Sequence, residues 1–331
     1  MLNHNKEIIA EIGSVHDGSL GNALKLIGCA KECGADLVKF QHHLAENEMT
    51  TRAKSPEHFK NEKRFDYFKR INFSISDFKK IIKECKKNKV KFLCSPFSEE
   101  SIEILEKLNV DAYKIASGEL TNSPLLEILA RTNKKIYLST GMSNWNEIEK
   151  AVKILKKNDL VIMQCTSLYP TSPKNVGLNN IENLKTKFGK VVGFSDHTDS
   201  FEASISAAIL GADVIEKHIT FSKKMYGSDA KFAMELDDFK KYVTYIRNTW
   251  VMRENPVDKN NLKKFDKVRN VFQKSIVVSK DLKAGSRIKL EDLAFKKPGD
   301  GLSPSVYKKL VNKKLKKEKL KDDQIKLSDI K

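Results

Sequence analysis

The strongest constraint on the fold is a regular alternation of short apolar runs with amphipathic stretches. Apolar runs of strand length recur eight times, at residues 7–13, 37–41, 91–95, 112–117, 135–140, 160–165, 191–196 and 214–220. Segments with helical periodicity separate them, among them residues 75–88, 99–108, 144–156 and 200–210. Such alternation predicts βαβ units and a parallel sheet. Eight units within about 220 residues predict a closed (β/α)8 TIM barrel.

A doubly wound sheet that binds a dinucleotide is the competing architecture. No GxGxxG follows the first strand, which counts against it.

The pattern changes after Trp250, where a polar stretch gives way to short β runs and glycine turns. We therefore predict a catalytic barrel at residues 1–250, a linker at 251–268 and a small β-rich domain at 269–331.

The charge is strongly basic, with a formal net charge of +18. From Asn260 to Lys331 there are 21 lysines and arginines and nine acidic residues, and nearly all of the basic residues are lysine. Nucleic-acid readers favour arginine and stacking aromatics, so a solvated surface is the favoured interpretation. Attraction of a polyanionic substrate is the second interpretation.

The cysteines and the lengths of the apolar runs indicate the cellular compartment. Five cysteines, an odd number without a CxxC pair, fit a reducing compartment. The apolar runs fall far short of the roughly 20 residues of a membrane span. We expect a cytoplasmic protein that binds neither membrane nor nucleic acid.

Polar side chains collect where the predicted strands end. In a barrel those ends form one rim, which carries the chemistry. The rim candidates are His16, Asp17, Lys39, Gln41, Ser95, Lys114, Ser117, Glu119, Ser139, Ser167, Tyr169, Ser195, Asp196, His197, Glu216 and His218. A single lysine or histidine of this kind is usually structural, but coincidence at eight strand ends favours a site.

Two subsets of the rim suggest ligands. Lys39 and Lys114, backed by serine hydroxyls, predict a cationic pocket that holds a phosphate and a carboxylate. His197 and His218 end neighbouring strands and could share one divalent metal. Their spacing matches no sequential metal motif, so a purely structural pair of histidines remains the alternative.

Several segments together resemble a known family. In chain order they are "IAEIGSVHDG", "GADLVKFQ", "FLCSPFSEES", "YKIASGELTNSPLLE", "LSTGM", "CTSLYPTSP", "GFSDHT" and "IEKHIT". They are similar to the sialic acid synthase family, N-acetylneuraminate synthase and its legionaminic and pseudaminic acid synthase relatives. The tail "KSIVVSKDLKAGSRIKLEDLAFKKPGDGLSP" resembles that family's antifreeze-like (SAF) domain.

The resemblance implies a reaction. Phosphoenolpyruvate would condense with the open-chain aldehyde of an N-acetylated hexosamine to give a nonulosonic acid and phosphate. One Mn²⁺ or Mg²⁺ per barrel would be held by His197 and His218. The implied catalytic residues are Asp17, Glu119, Glu216 and His197, with Asp17 as general base or water-orienting group. The implied substrate-binding residues are Lys39, Gln41, Ser95, Lys114, Ser117, Ser139, Ser167, Tyr169, Ser195 and Lys297.

Three departures from the family pattern concern the sugar side. Val15 replaces a polar residue, Ser167 stands where several members have Asn, and Lys297 replaces an arginine that reaches the sugar from the partner subunit. The resemblance therefore also implies a domain-swapped homodimer. Two alternatives stay open: a condensing synthase that uses a phosphorylated acceptor, and a non-catalytic sugar- or nucleic-acid-binding protein.

Overall fold

The computed structural model describes residues 6–55 and 62–331. These residues form two compact units, and the chain passes from the first to the second between Asn255 and Pro256. Each unit has its own apolar core.

The first unit is a closed parallel barrel, as the sequence predicts. In the described part of the chain, eight parallel strands pair in chain order, and the first also pairs with the eighth. They are β1 (Glu7–Glu11), β2 (Leu37–His42), β3 (Lys91–Pro96), β4 (Ala112–Ile115), β5 (Lys135–Ser139), β6 (Leu160–Cys165), β7 (Val191–Asp196) and β8 (Val214–Thr220). A short strand, β9 (Met234–Glu235), continues the sheet beside β8.

Helices surround the barrel. They are α1 (Leu20–Glu32), α2 (Ala45–Glu48), α3 (Arg64–Ile71), α4 (Ile75–Lys87), α5 (Glu99–Lys107), α6 (Ser123–Arg131), α7 (Trp145–Ile154), α8 (Asn179–Phe188), α9 (Glu202–Ile209) and α10 (Leu236–Glu254). Several begin at a side-chain cap, as where Ser74 accepts a hydrogen bond from the Asp77 amide at the start of α4. The apolar faces of α1 and α4–α10 pack on the outside of the sheet, whereas α2 and α3 form a separate apolar cluster.

The barrel interior is layered because alternate strand residues point inward. The apolar inner layers consist of Ile9, Leu37, Leu93, Ala112, Tyr137, Val161, Met163 and Val214. Close packing leaves no room for a side chain at Gly193, where a Cβ would lie 2.3 Å from the Met163 sulfur. The inward positions nearer the carboxyl ends of the strands are polar, and they begin the site described below.

Two predicted strands end two residues earlier than expected. β1 stops at Glu11 because the chain turns at Gly13, whose φ is +52°. β4 stops at Ile115 because Ser117–Glu119 forms a 3₁₀ turn. In both cases the strand ends before polar residues that were predicted at its end. The geometry of the turn that follows therefore sets the direction of those side chains.

The end of the barrel unit lies beyond residue 250. Helix α10 continues to Glu254, and its last turns donate hydrogen bonds to the end of α9 and to the loop before β8. The Trp250 indole donates to the Ala212 carbonyl at 2.8 Å, and the Arg253 guanidinium donates to the Ala208 carbonyl at 2.6 Å.

The second unit is small and rich in short β segments. It contains helix α11 (Asp266–Phe272) and an antiparallel pair, β10 (Ser275–Val278) with β11 (Leu293–Lys296). Its core consists of Ile276, Val278, Leu282, Ile288, Leu293, Leu310, Leu315 and Ile325. Within the described residues of both units, no helix combines the length and apolar character needed to cross a membrane.

Candidate active site

A cavity of about 470 Å³ opens at the carboxyl ends of the barrel strands. Each of the eight strands contributes an inward-facing side chain to its wall, as the alternation along the strands requires. It contains thirteen of the fifteen predicted site residues: Lys39, Gln41, Ser95, Lys114, Ser117, Glu119, Ser139, Ser167, Tyr169, Ser195, His197, Glu216 and His218. Of the other two, Asp17 does not line the cavity, and Lys297 belongs to the second unit.

The two lysines are not isolated cations. Lys39 Nζ donates to Glu11 Oε1 at 2.6 Å, and Lys114 Nζ donates to Glu216 Oε1 at 2.8 Å. Ser195 Oγ also donates to Glu216 Oε1, at 2.9 Å. The predicted cationic pocket is therefore a charge-balanced cluster of two lysines and two carboxylates.

The two carboxylates differ in their environments. Burial raises the pKa of Glu11, and the opposing charge of Lys39 does not cancel that effect. Burial acts in the same direction on Glu216, but Lys114 and Lys39 outweigh it and hold the Glu216 pKa at about 2. Environments that separate two carboxylates in this way suit one to proton transfer and the other to a permanent charge.

One oxygen of each carboxylate is unused. Glu11 Oε2 and Glu216 Oε2 are buried and have no hydrogen-bond partner among the described residues. The hydroxyl of Ser95 is in the same situation. Buried polar atoms without partners are rare and costly, so these three atoms mark places where a ligand or water would bind.

Asp17, the predicted base, does not line the cavity. It occupies a left-handed turn position, with φ of 46°, and its carboxylate accepts a hydrogen bond from Arg70 of α3 at 2.9 Å. The turn directs the side chain toward α3, on the outer side of the loop. Glu11, six residues earlier, is the carboxylate that β1 places in the cavity.

His16, beside Asp17, has a structural environment. Its Nδ1 accepts a hydrogen bond from the Gly18 amide at 3.0 Å, and its ring lies 4.4 Å from the ring of Phe73. Burial lowers its pKa to about 4, so the imidazole is neutral near pH 7. The histidine of this loop therefore closes a turn beneath the cavity.

The pair His197 and His218 has the properties of a metal-binding pair. Their ring centroids lie 5.7 Å apart. His197 Nδ1 donates to the Thr166 carbonyl at 2.8 Å, which directs Nε2 toward the cavity, where it lies 3.1 Å from the Tyr169 hydroxyl. His218 Nδ1 is buried without a partner among the described residues.

The electrostatic state of His218 also fits a ligand. Burial lowers its pKa to about 4, so it is neutral and keeps a free nitrogen lone pair near pH 7. Within residues 6–55 and 62–331, no cluster of three or more His, Cys, Asp or Glu side chains is arranged to hold a metal. The residues thus fit an ion that takes two imidazoles from the protein and its other ligands from substrate and water.

Asp229 is a cavity carboxylate that the sequence did not indicate. It reaches the loop after β1, where Ser14 donates to Asp229 Oδ2 from its amide and from its hydroxyl, each at 2.8 Å. A Cβ at Gly13 would lie 2.5 Å from the same oxygen, so only glycine permits this approach. Asp229 lies beyond β8 in a segment without strand or helix periodicity, which is why no pattern revealed it.

Arg64 and Glu119 lie on the same cavity wall. Glu119 accepts from the Asn122 amide at 2.8 Å, and burial raises its pKa while the charge of Arg64 opposes the shift. Within the described ranges, no carboxylate lies within ion-pair distance of Arg64, whose guanidinium carbon is 5.6 Å from the centre of the Phe68 ring. Arg64 is thus a cation of the cavity wall that has no ion pair among the described residues, and the sequence did not indicate it.

Lys297 belongs to the second unit. It is exposed, and its Nζ lies 5.2 Å from the centre of the Phe272 ring of α11. The resemblance predicts that Lys297 reaches the sugar site of a partner subunit, and this stays a prediction.

Comparison with known proteins assigns the family. The NeuB family model matches residues 26–258, and the SAF domain model matches residues 273–331. An N,N'-diacetyllegionaminic acid synthase of Campylobacter jejuni is 38% identical, over 92% of this chain and 94% of its own length. A pseudaminic acid synthase of the same species is 33% identical, over 92% of this chain and 90% of its own length.

A solved structure agrees with these matches. The crystal structure of N-acetylneuraminic acid synthetase from Leptospira borgpetersenii in complex with citrate superposes with a TM-score of 0.72 and 29% identity. The match covers 82% of this chain and 93% of that one. The chain is therefore a member of the NeuB family and ends in a SAF domain.

Proposed function

We propose that this protein condenses phosphoenolpyruvate with an N-acylated hexosamine to give a nonulosonic acid and phosphate. The observation that carries the proposal is the barrel-mouth cavity, which joins two lysines, two imidazoles and two carboxylate oxygens that have no partner among the described residues. The similarity to a legionaminic acid synthase and a pseudaminic acid synthase supports the same reaction class.

Anion binding is assigned to Lys39 and Lys114. Each lysine has three N–H donors, and the described contacts with Glu11 and Glu216 leave donors free for a phosphate or carboxylate oxygen. The Ser95 hydroxyl, which is buried and has no partner in the described part of the chain, supplies a further donor. Glu216 limits the net positive charge of the pocket, so binding depends on directed hydrogen bonds as much as on attraction.

Glu11 is the proposed general base. The methylene carbon C3 of phosphoenolpyruvate forms a bond to the aldehyde carbon, so C2, which carries the phosphate ester, becomes cationic and the aldehyde oxygen takes up a proton. Water adds to C2 and gives one proton to Glu11. The new C2 hydroxyl then loses its proton as the bond between C2 and the ester oxygen breaks, which leaves a ketone and inorganic phosphate. Glu11 suits this role because no described residue hydrogen-bonds to its Oε2, while Lys39 and Gln41 both donate to Oε1.

His197 and His218 would hold one Mn²⁺ or Mg²⁺. Such an ion supplies Lewis-acid polarisation of the aldehyde oxygen when bound. The Thr166 carbonyl fixes the tautomer of His197 by accepting from its Nδ1 at 2.8 Å. Tyr169, which contacts His197 Nε2, lies where the acceptor sugar would enter.

The decisive experiment measures phosphate release with phosphoenolpyruvate, Mn²⁺ and a panel of N-acyl hexosamines, with mass analysis of the product. We expect sugar-dependent phosphate release and a product whose mass equals phosphoenolpyruvate plus sugar plus water minus phosphoric acid. Phosphate release that does not depend on the sugar, or a phosphorylated product, would contradict the proposal.

The second unit is proposed to act across a homodimer, with Lys297 closing the sugar site of the partner. Full-length Lys297→Ala and Glu11→Gln chains allow a test by complementation. A verified heterodimer contains one intact barrel, which receives an intact Lys297 only if the tails are exchanged. We expect such heterodimers to be more active on the sugar than either parent, and equal activity would show that each tail serves its own barrel.

A further inference from the structure

His43 is a buried histidine that does not line the main cavity, yet it is connected to it. It directly follows β2 and lies between two aromatic rings, Phe68 of α3 and Phe97 after β3. The ring centroids are 3.8 Å and 4.2 Å away, with interplanar angles of 27° and 15°. Both phenyl rings line the main cavity. The stacking restricts the imidazole to one plane.

Both nitrogens of this imidazole are occupied. Nδ1 lies 2.9 Å and 3.0 Å from the two carboxylate oxygens of Glu48, whose side chain is 5% exposed. Nε2 lies 2.9 Å from Gln41 Oε1. Gln41 Nε2 in turn donates to Glu11 Oε1 at 2.7 Å. A continuous chain of hydrogen bonds thus runs from Glu48 through His43 and Gln41 to Glu11.

The chemistry of the partners defines the direction of each bond. A carboxylate accepts only, so His43 Nδ1 donates to Glu48. The Gln41 amide nitrogen donates to Glu11, which leaves its oxygen to accept from His43 Nε2. Both imidazole nitrogens therefore carry hydrogen, and Glu48 balances the resulting charge. The reversed amide would place Gln41 Oε1 against Glu11 Oε1, two acceptors without a proton between them.

We infer that His43, held by Glu48 and the two phenyl rings, is a positioning residue that fixes the Gln41 amide with its NH₂ group toward Glu11. Lys39 and Gln41 then hold Glu11 Oε1 together, which leaves Oε2 facing the reaction. This role deepens the proposed function and rests on it. His43 contributes through Gln41 alone, so its effect on turnover requires that amide.

Activity tests use two substitutions of different reach. In His43→Gln the side-chain amide is long enough to donate to Gln41 Oε1. In His43→Asn the shorter side chain does not reach that oxygen. We expect His43→Asn to lower kcat about 10- to 100-fold with the KM for phosphoenolpyruvate changed less than about threefold, and His43→Gln to restore most of kcat. His42→Asn, the same change one residue earlier on the opposite face of β2, is the matched control and should stay within about threefold of wild type in kcat.

A double-mutant cycle then separates positioning from general structure. In a Gln41→Ala background, His43→Asn should change kcat by less than about twofold, because the amide it positions is gone. An undiminished effect in that background, or His43→Gln as impaired as His43→Asn, would overturn the inference.

A readout without activity keeps the inference testable if a variant does not fold or the proposed reaction fails. ¹⁵N NMR of the wild-type protein near neutral pH reports the protonation of each imidazole nitrogen. We expect both nitrogens of His43 to carry hydrogen, and a single unprotonated nitrogen would refute the network. Absence of phosphate release by the wild type would instead reject the proposed function and leave this measurement to decide the positioning.

Discussion

Substitution of two carboxylates six residues apart, Glu11 at the end of β1 and Asp17 on the loop that follows, distinguishes the geometry from the sequence pattern. Glu11→Gln removes the carboxylate that lines the cavity, and Asp17→Asn removes the one that the resemblance favours. Both changes keep the shape of the side chain. Asparagine also tolerates the left-handed backbone at position 17, where φ is 46°, so this substitution adds little strain.

The expected effects differ by orders of magnitude. A positioned general base contributes about 10²- to 10⁴-fold, so Glu11→Gln should lower kcat by about 10³, equivalent to about 4 kcal/mol of activation free energy. Asp17 pairs with Arg70 at a partly exposed site, with side-chain exposures of 27% and 40%. Arg70 also keeps its pair with Glu62, so Asp17→Asn should cost less than about 1 kcal/mol of stability and change kcat less than about threefold.

Glu11→Gln also carries a stability cost that must be separated from catalysis. It leaves Lys39 buried without its partner at 2.6 Å, and removal of one member of a buried pair costs about 3–5 kcal/mol. Gln can still accept from Lys39, so we expect the lower part of that range, measured by denaturant unfolding.

The assay is steady-state phosphate release, with phosphoenolpyruvate affinity measured by calorimetry on the same samples. A folded Glu11→Gln that binds phosphoenolpyruvate within about tenfold of wild type and retains more than about a third of kcat would refute the assignment of the base. A loss of kcat in Asp17→Asn as large as in Glu11→Gln would also refute this assignment, and would identify Asp17 as the base.

Three further predictions concern the metal, the anion and the pH dependence of stability. His197→Ala and His218→Ala should each abolish turnover and weaken Mn²⁺ binding, measured by calorimetry, while the circular dichroism spectrum stays unchanged. Lys114→Ala should raise the KM for phosphoenolpyruvate about 10- to 100-fold and that for the sugar far less, in initial-rate kinetics; equal changes would indicate a structural role. Burial lowers the pKa of His42 to about 4, below its value of about 6.5 in the unfolded chain. The contribution of this histidine to the free energy of unfolding is therefore complete above pH 6.5 and is lost as the pH falls toward 4. Between pH 7 and pH 5 the wild type should therefore lose about 2 kcal/mol more unfolding free energy than His42→Asn, by denaturant titration.

The barrel follows from the sequence because strand and helix periodicities are local properties. Eight apolar runs separated by helical stretches leave few closed arrangements for a parallel sheet, and the strands pair in chain order. Inward-facing positions follow from the two-residue repeat. Lys39 and Gln41 on β2, or Glu216 and His218 on β8, could therefore be assigned to the cavity from the sequence.

Side chains beyond the strand ends followed no such repeat. Asp17 and Glu11 are both acidic and six residues apart, but a left-handed turn directs Asp17 to Arg70, while Glu11 stays on the inward face of β1. The sequence shows that a carboxylate lies near the end of β1, and the turn after that strand decides which carboxylate enters the cavity. A periodic pattern constrains a strand, whereas the direction of a loop side chain depends on the partners that the tertiary fold brings to it.

Long-range partners were likewise decided by the tertiary structure. Asp229 meets Ser14 across 215 positions of sequence, and Arg64 reaches the cavity wall from a helix outside the βα repeat. The pairing of Lys39 with Glu11 and of Lys114 with Glu216 turned an expected cationic pocket into a charge-balanced cluster. The sequence by itself determined the barrel, its strand order and the residues that face inward. Only the folded chain decided which charges neutralise one another and which polar atoms stay unpaired, because both depend on distances between residues far apart in sequence.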